Sequence, residues 1–174
     1  MRKFLSVSAT VLLLGIGQAQ ASTVACFQAA DVKEAQLRRM QQEFTVAALS
    51  CGVVKAQRDA IADRYNRFVD RFSDVLRANA QILQVHFAQH GGTNSFDSWM
   101  TKLANAASED VATNPDYCRN AWLNLDAALL ITPDNIAAFA ANGHVPDDLV
   151  PLCGLHRPRA KTVTSAHAQA SNKD

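Results

Sequence analysis

Local catalytic signatures are missing from this sequence. It contains no G-x-S-x-G, no H-E-x-x-H and no phosphate-binding glycine loop, so the short motifs of serine hydrolases, zinc proteases and nucleotide-binding folds do not apply. It has no C-x-x-C, which leaves thioredoxin-like redox chemistry and clustered zinc-ligand spacing without support. Triads assemble from distant positions, but no pattern here places one. Neither charge sign dominates: 17 Lys+Arg face 16 Asp+Glu, for a formal net charge of +1. Bulk attraction to nucleic acid or to acidic membranes is therefore not expected. Alternating Val/Ile/Thr runs are scarce and no internal repeat occurs, which argues against a sheet. No apolar run reaches the roughly 20 residues a transmembrane helix needs.

What is present begins with MRKFLSVSATVLLLGIGQAQAS. Arg2 and Lys3, an apolar stretch from Phe4 to Ile16 and the small-residue Ala19-Gln20-Ala21 site read as a secretory signal peptide, residues 1–21. Cleavage after Ala21 removes two positive charges and leaves a net charge of −1. The rest divides into a helical domain, 22–155, and a tail, 156–174, which lacks an apolar stripe and reads as disordered. Arg157, Arg159 and Lys161 in that tail suit a solvated end, or a weak attraction to anionic lipid or cell wall.

Helical periodicity carries the fold. Leu37, Met40, Phe44, Ala47 and Cys51 are spaced 3, 4, 3, 4, a continuous stripe on a first helix from about Asp31 to Cys51. Asp31 with Glu34 predicts a capping box at its start, and Gly52 predicts a left-handed turn after it. A second helix from about Arg58 to His90 holds no proline or glycine. Its seam is Ile61, Tyr65, Phe68, Phe72, Val75, Asn79, Ile82 and His86, widened by Val69, Leu76 and Leu83. Asn79 either fixes register between helices, or points to a wet edge or bonds a neighbour. Arg64, Arg67, Asp70, Arg71, Asp74 and Arg77 read as a solvated face. A long heptad seam also permits a homodimer through this helix.

A third helix starts at Asn94 or Ser95, with Phe96, Met100, Leu103, Ala107 and Val111 as its stripe and Trp99 beside it. Asn114-Pro115-Asp116 opens a fourth, with Cys118, Trp122, Leu125 and Leu129 inward. Thr132-Pro133-Asp134 opens a short fifth, which Asn142-Gly143 ends. "HVPDDLVPLCG" is punctuated by proline and predicts irregular chain, with a single helical turn at Asp147–Val150. Short connections favour antiparallel neighbours. The expected fold is all-α: an antiparallel bundle of four main helices plus a short fifth.

The four cysteines are expected to be staples. Their number is even and the leader implies an oxidising compartment. With alternating helices, Cys51 and Cys118 fall at one end, and Cys26 and Cys153 at the other. This predicts the bridges Cys51–Cys118 and Cys26–Cys153. A Cys26–Cys51 bridge would have to span a helix of about 30 Å, far beyond the roughly 7 Å limit between bridged Cα atoms.

His86 and His90, four residues apart, form half of a possible metal or ligand site, but spacing supplies no third ligand; a buried, hydrogen-bonded His86 and a His90 favoured by the helix C-terminus account for both. His144, His156 and His167 fall in loop or tail. Asp59/Asp63 and Asp70/Asp74 lie among arginines and suit solvent better than acid–base work. Trp99, off the cleanest row, is the first candidate contact residue if it is exposed. No catalytic residue and no cofactor are assigned.

The stretches "VAALSC", "YNRFVDRF" and "WMTKLANAASED", with the four spaced cysteines, resemble an uncharacterised group of small exported all-helical proteins from proteobacteria. The resemblance implies an envelope location and a helical fold and carries over no site residue. The leading expectation is an exported, non-enzymatic binding or interaction protein of the bacterial envelope: an accessory, chaperone-like or inhibitor/immunity-type factor with another envelope protein as partner. The alternatives are a small-ligand or metal-binding bundle with a cavity near His86 and Trp99, and a hydrolase without a local signature.

Overall fold

The computed structural model describes residues 26–90, 95–143 and 148–154. The expected leader and tail lie outside them, with Arg157, Arg159, Lys161, His144, His156 and His167. Among the described residues there are five α-helices: α1 (Val32–Ser50), α2 (Lys55–His90), α3 (Ser95–Thr113), α4 (Tyr117–Ala128) and α5 (Ile136–Gly143), the last preceded by a 3-10 turn at Pro133–Asn135. Among the described residues, no helix is long and apolar enough to cross a membrane.

The contacts between α1 and α2 run in opposite chain directions. Asp31 approaches His86, Arg38 bonds Asn79 and Thr45 shares a hydrogen bond with Tyr65. The pair is antiparallel over its whole length. Arg64 reaches Asp126 and Arg71 reaches the Ile131 carbonyl, so α4 runs parallel to α2, as up-down-up-down order requires. Helix α1 is the hub and packs on α2, α3, α4 and α5. That is why Ala35, Gln36, Leu37 and Arg38 are all buried in succession, which a single stripe does not predict. Helix α5 packs along α1.

The bridges pair as expected. Cys51–Cys118 and Cys26–Cys153 have Cα separations of 5.5 and 4.9 Å, and no free cysteine remains among the described residues. Each bridge marks one end of a divided core. The upper core, at the Cys51–Cys118 end, is built on Leu37, Met40, Phe44, Ile61, Phe68 and Phe72. The lower core, at the Cys26–Cys153 end, is built on Phe27, Leu83, Phe87, Trp99, Leu103 and Val150. Phe27 is held there by two main-chain bonds: its N–H donates to the Pro151 carbonyl, and its carbonyl accepts from the Cys153 N–H.

A polar belt separates the two cores. Arg38 is buried and donates to Asn79 Oδ1 (2.9 Å), to the Leu76 carbonyl (2.7 Å) and to Gln41 Oε1. Asn79 in turn donates to the carbonyl and carboxylate of Glu34. Asn79 is therefore buried and bonded to α1, not at a wet edge. Burial pushes the Arg38 pKa down, though a guanidinium stays charged. Gln36, in the same stretch of α1, is fully buried and neither atom of its amide has a hydrogen-bond partner. Such a group loses water without compensation, at about 1–3 kcal/mol. Gln36→Met keeps the volume and removes the polar atoms. It is expected to stabilise the fold by at least about 1 kcal/mol, read as a higher urea midpoint.

Several local expectations are corrected. Asp31 adopts helical backbone angles and its side chain caps nothing; Glu34 spends its carboxylate on Asn79, so no capping box forms. Helix α2 begins at Lys55, one turn before Arg58. Ile82 stands 44% exposed instead of on the seam, and Leu83 and Phe87 fill the lower core. Ile61 and Ile82 are three heptads apart, and a straight helix drifts about 20° per heptad. Ile82 therefore lies about 60° round the helix from Ile61, while Asn79 and His86 stay within about 20° of it and are buried. Helix α4 begins at Tyr117, although Asn114 Oδ1 does accept from the Asp116 N–H. Asp148–Val150 form a turn, and Asp147 lies outside the described residues. Gly52 holds φ at +112°, and a Cβ there would lie 2.8 Å from the Arg58 main-chain nitrogen, so this turn requires glycine.

Candidate functional site

The upper end of the bundle carries an apolar cleft of about 320 Å³. The turn after α1 supplies Cys51 and Gly52, α2 supplies Gln57 and Ile61, and α4 supplies Cys118, Arg119, Trp122 and Leu123. The Cys51–Cys118 bridge ties the two walls together. Trp122 is braced by the Arg64 guanidinium, 4.1 Å from its ring centroid, and Arg64 is fixed by Asp126 at 2.7 Å. Arg64 thus supports a wall of the cleft and is only partly part of the solvated face. Large apolar side chains meet water at this end of the bundle: Leu123, which lines the cleft, is 59% exposed, Val53 and Val54, which follow the lining residue Gly52, are 90% and 54% exposed, and Leu49 precedes Cys51 by two residues. Arg58 pins this turn by donating to the carbonyls of Gly52 and Val53. The exposed valines are therefore presented on a fastened loop.

The lower end holds the histidine pair. His86 is buried, stacked on Phe27 with ring centroids 4.7 Å apart and 5° between planes. Its Nδ1 lies 3.5 Å from Asp31 Oδ2, and its Nε2 has no partner. Burial lowers the His86 pKa below 6.5, with His90 adding to it; the nearby Asp31 carboxylate and a hydrogen bond with the Cys26 main chain oppose this without overcoming it. His90 is exposed, donates through Nδ1 to the His86 carbonyl, and stacks on the His86 ring at 4.8 Å. Among the described residues, no three His, Cys, Asp or Glu side chains are grouped to hold a metal ion.

Trp99 is buried, so the exposure that would make it a contact candidate is absent. It is 6% exposed, its Nε1–H donates to the Leu149 carbonyl at 2.6 Å, and its ring packs against Phe27, Phe87 and Phe96. Phe27 packs against both the His86 and Trp99 rings, so no one cavity joins them. A groove of about 370 Å³ does lie beside His86, but Asp31, Gln81, Ile82, Val85, Gln89 and His90 line it instead. The paired aspartates stay on the surface: Asp59 bonds Lys55 and Asp74 bonds Arg77. Ser50 is exposed and Cys51 is consumed by its bridge.

A comparison with protein-family models, curated proteins and solved structures finds no match to this chain. The site must therefore be read from its own chemistry. Sequence reasoning missed the cleft. The signal available was Val53-Val54, two apolar residues in a tight connection where polar residues are the norm.

Proposed function

We propose that this chain is an exported, non-enzymatic binding protein of the bacterial envelope that engages a partner protein through its Cys51–Cys118 end. An accessory, chaperone-like or inhibitor-type factor fits this description. The exposed apolar side chains at this end carry the reading, since clustered apolar surface of this kind marks interaction sites. The leader-like N-terminus and two long-range bridges support an oxidising compartment such as the periplasm. The resemblance to small exported proteobacterial proteins agrees with that location.

Two measurements test it. The mass of the protein recovered from the envelope fraction is expected to correspond to a chain beginning at Ser22. A photo-crosslinking residue at position 123 is expected to yield a discrete adduct with one envelope protein. The same residue at position 130, equally apolar and 84% exposed at the other end of α4, is expected to yield none. With the partner in hand, Leu123→Asp should weaken its binding by at least about tenfold. No adduct, or equal adducts at both positions, refutes the reading.

A further inference from the structure

We propose that the Phe27–His86–His90 stack is an acid-responsive latch, which holds the Cys26–Phe27 and Pro151–Cys153 segments against α2 near neutral pH and releases them in mild acid. The proposal is independent of the binding reading, which concerns the opposite end.

The geometry has three parts. First, the covering segments are thin: they meet through two main-chain hydrogen bonds and one bridge, Phe27 plugs the first into the lower core, and the second is anchored upstream of Pro151, by Val150 and the Trp99 bond to the Leu149 carbonyl. Second, Phe27 seats itself on a titratable ring, flat against His86. Third, burial outweighs the Asp31 carboxylate and the Cys26 main-chain bond, which favour a proton on His86 where it sits. Its Nε2 is buried with no acceptor, and a second imidazole lies stacked on its other side. Opening the latch would give Nε2 to water.

The charged surroundings are sparse. From the start of α1, Asp31 faces His86 at 3.5 Å; Glu34, one turn on, is engaged by Asn79. From α2 itself, His90 is the neighbour. Helix α3 and the 148–154 segment present Trp99, Leu149 and Val150 to this region, while their acids Asp97 and Asp148 are exposed. The bridged Cys26 and Cys153 do not titrate.

The direction follows from linkage. The proton is disfavoured on His86 when the latch is closed and returns to its ordinary affinity, near 6.5, when open. The open form then binds more protons, so closure is fully favoured above about 6.5 and weakens as pH falls below it. At pH 5 the opening equilibrium can rise by up to about 30-fold for one such group.

Amide hydrogen exchange on the bridged protein tests this. Protection at Phe27 and Cys153, corrected for intrinsic exchange, is compared between pH 7.5 and pH 5, with the Cys51 amide, bonded to the Ala47 carbonyl, as the far-end reference. Both lower-end amides are expected to lose several-fold to 30-fold in protection while Cys51 holds. His86→Gln should abolish the response. Asp31→Asn, which removes the carboxylate favouring protonation in the closed form, should deepen it, and this variant decides the matter if His86→Gln does not fold. Unchanged protection, an equal loss at both ends, a response that survives in His86→Gln, or a shallower one in Asp31→Asn overturns the proposal.

Discussion

Replacing Cys26 and Cys153 together by serine is expected to lower the unfolding free energy by about 2–5 kcal/mol. The bridge closes the longer of the two covalent loops, with a sequence separation of 127 against 67 for Cys51–Cys118. Loop closure removes entropy from the unfolded chain, and the effect grows slowly with loop length. The two bridges should therefore differ little through the unfolded state. They differ in what they hold. Cys51 caps α1 and Cys118 lies in the first turn of α4, two helices that Tyr117 also joins by donating to the Glu43 carbonyl. Cys26 and Cys153 sit on extended chain that meets its partner through one isolated bridge of main-chain pairing. Urea unfolding should show the larger loss for the Cys26/Cys153 pair, with a steeper denaturant dependence because the unfolded chain expands. A larger loss for Cys51/Cys118 would mean that the lower segments are not a structural closure.

The second large effect belongs to the polar belt. Asn79→Ala is expected to cost about 3 kcal/mol or more. It leaves the Nε–H of buried Arg38 without its acceptor, and the Glu34 carbonyl and carboxylate without their donor. The cost is a penalty for isolation, not the net worth of the bond. Converting both partners, as in Arg38→Met with Asn79→Leu, is therefore expected to recover most of the loss. Urea midpoints of Arg38→Met, Asn79→Leu and the variant carrying both provide the check, as a double-mutant cycle. Additive losses would show that the belt is not a coupled unit.

Much of this fold was legible in the sequence because each stripe has a single physical meaning. Leu37, Met40, Phe44, Ala47 and Cys51 all reach the core, as a 3-4 spacing requires. The pairing of the cysteines followed from helix length and alternation alone. What escaped the sequence depended on remote partners. Trp99 is covered by Phe27 and Val150, which lie in segments far from it along the chain. Asp31 and Glu34 had a local use as caps, yet α2 offered His86 and Asn79, and tertiary contact prevailed. Ile82 left the core because a seven-residue repeat and a 3.6-residue helix part company over three repeats. The cleft was hidden for the same reason as Trp99: its walls come from α2 and α4, brought together by α1 and a bridge. The full burial of Gln36 had no sequence signal, since a glutamine in an amphipathic helix ordinarily faces water.

The central claim is that two sulfur cross-links close opposite ends of an antiparallel helical protein, and it is most directly tested by mass mapping of proteolytic fragments under non-reducing conditions. Two linked pairs are expected: a fragment containing residue 26 joined to one containing residue 153, and a fragment containing residue 51 joined to one containing residue 118. Unmodified thiols, or a fragment linking residues 26 and 51, would contradict the account.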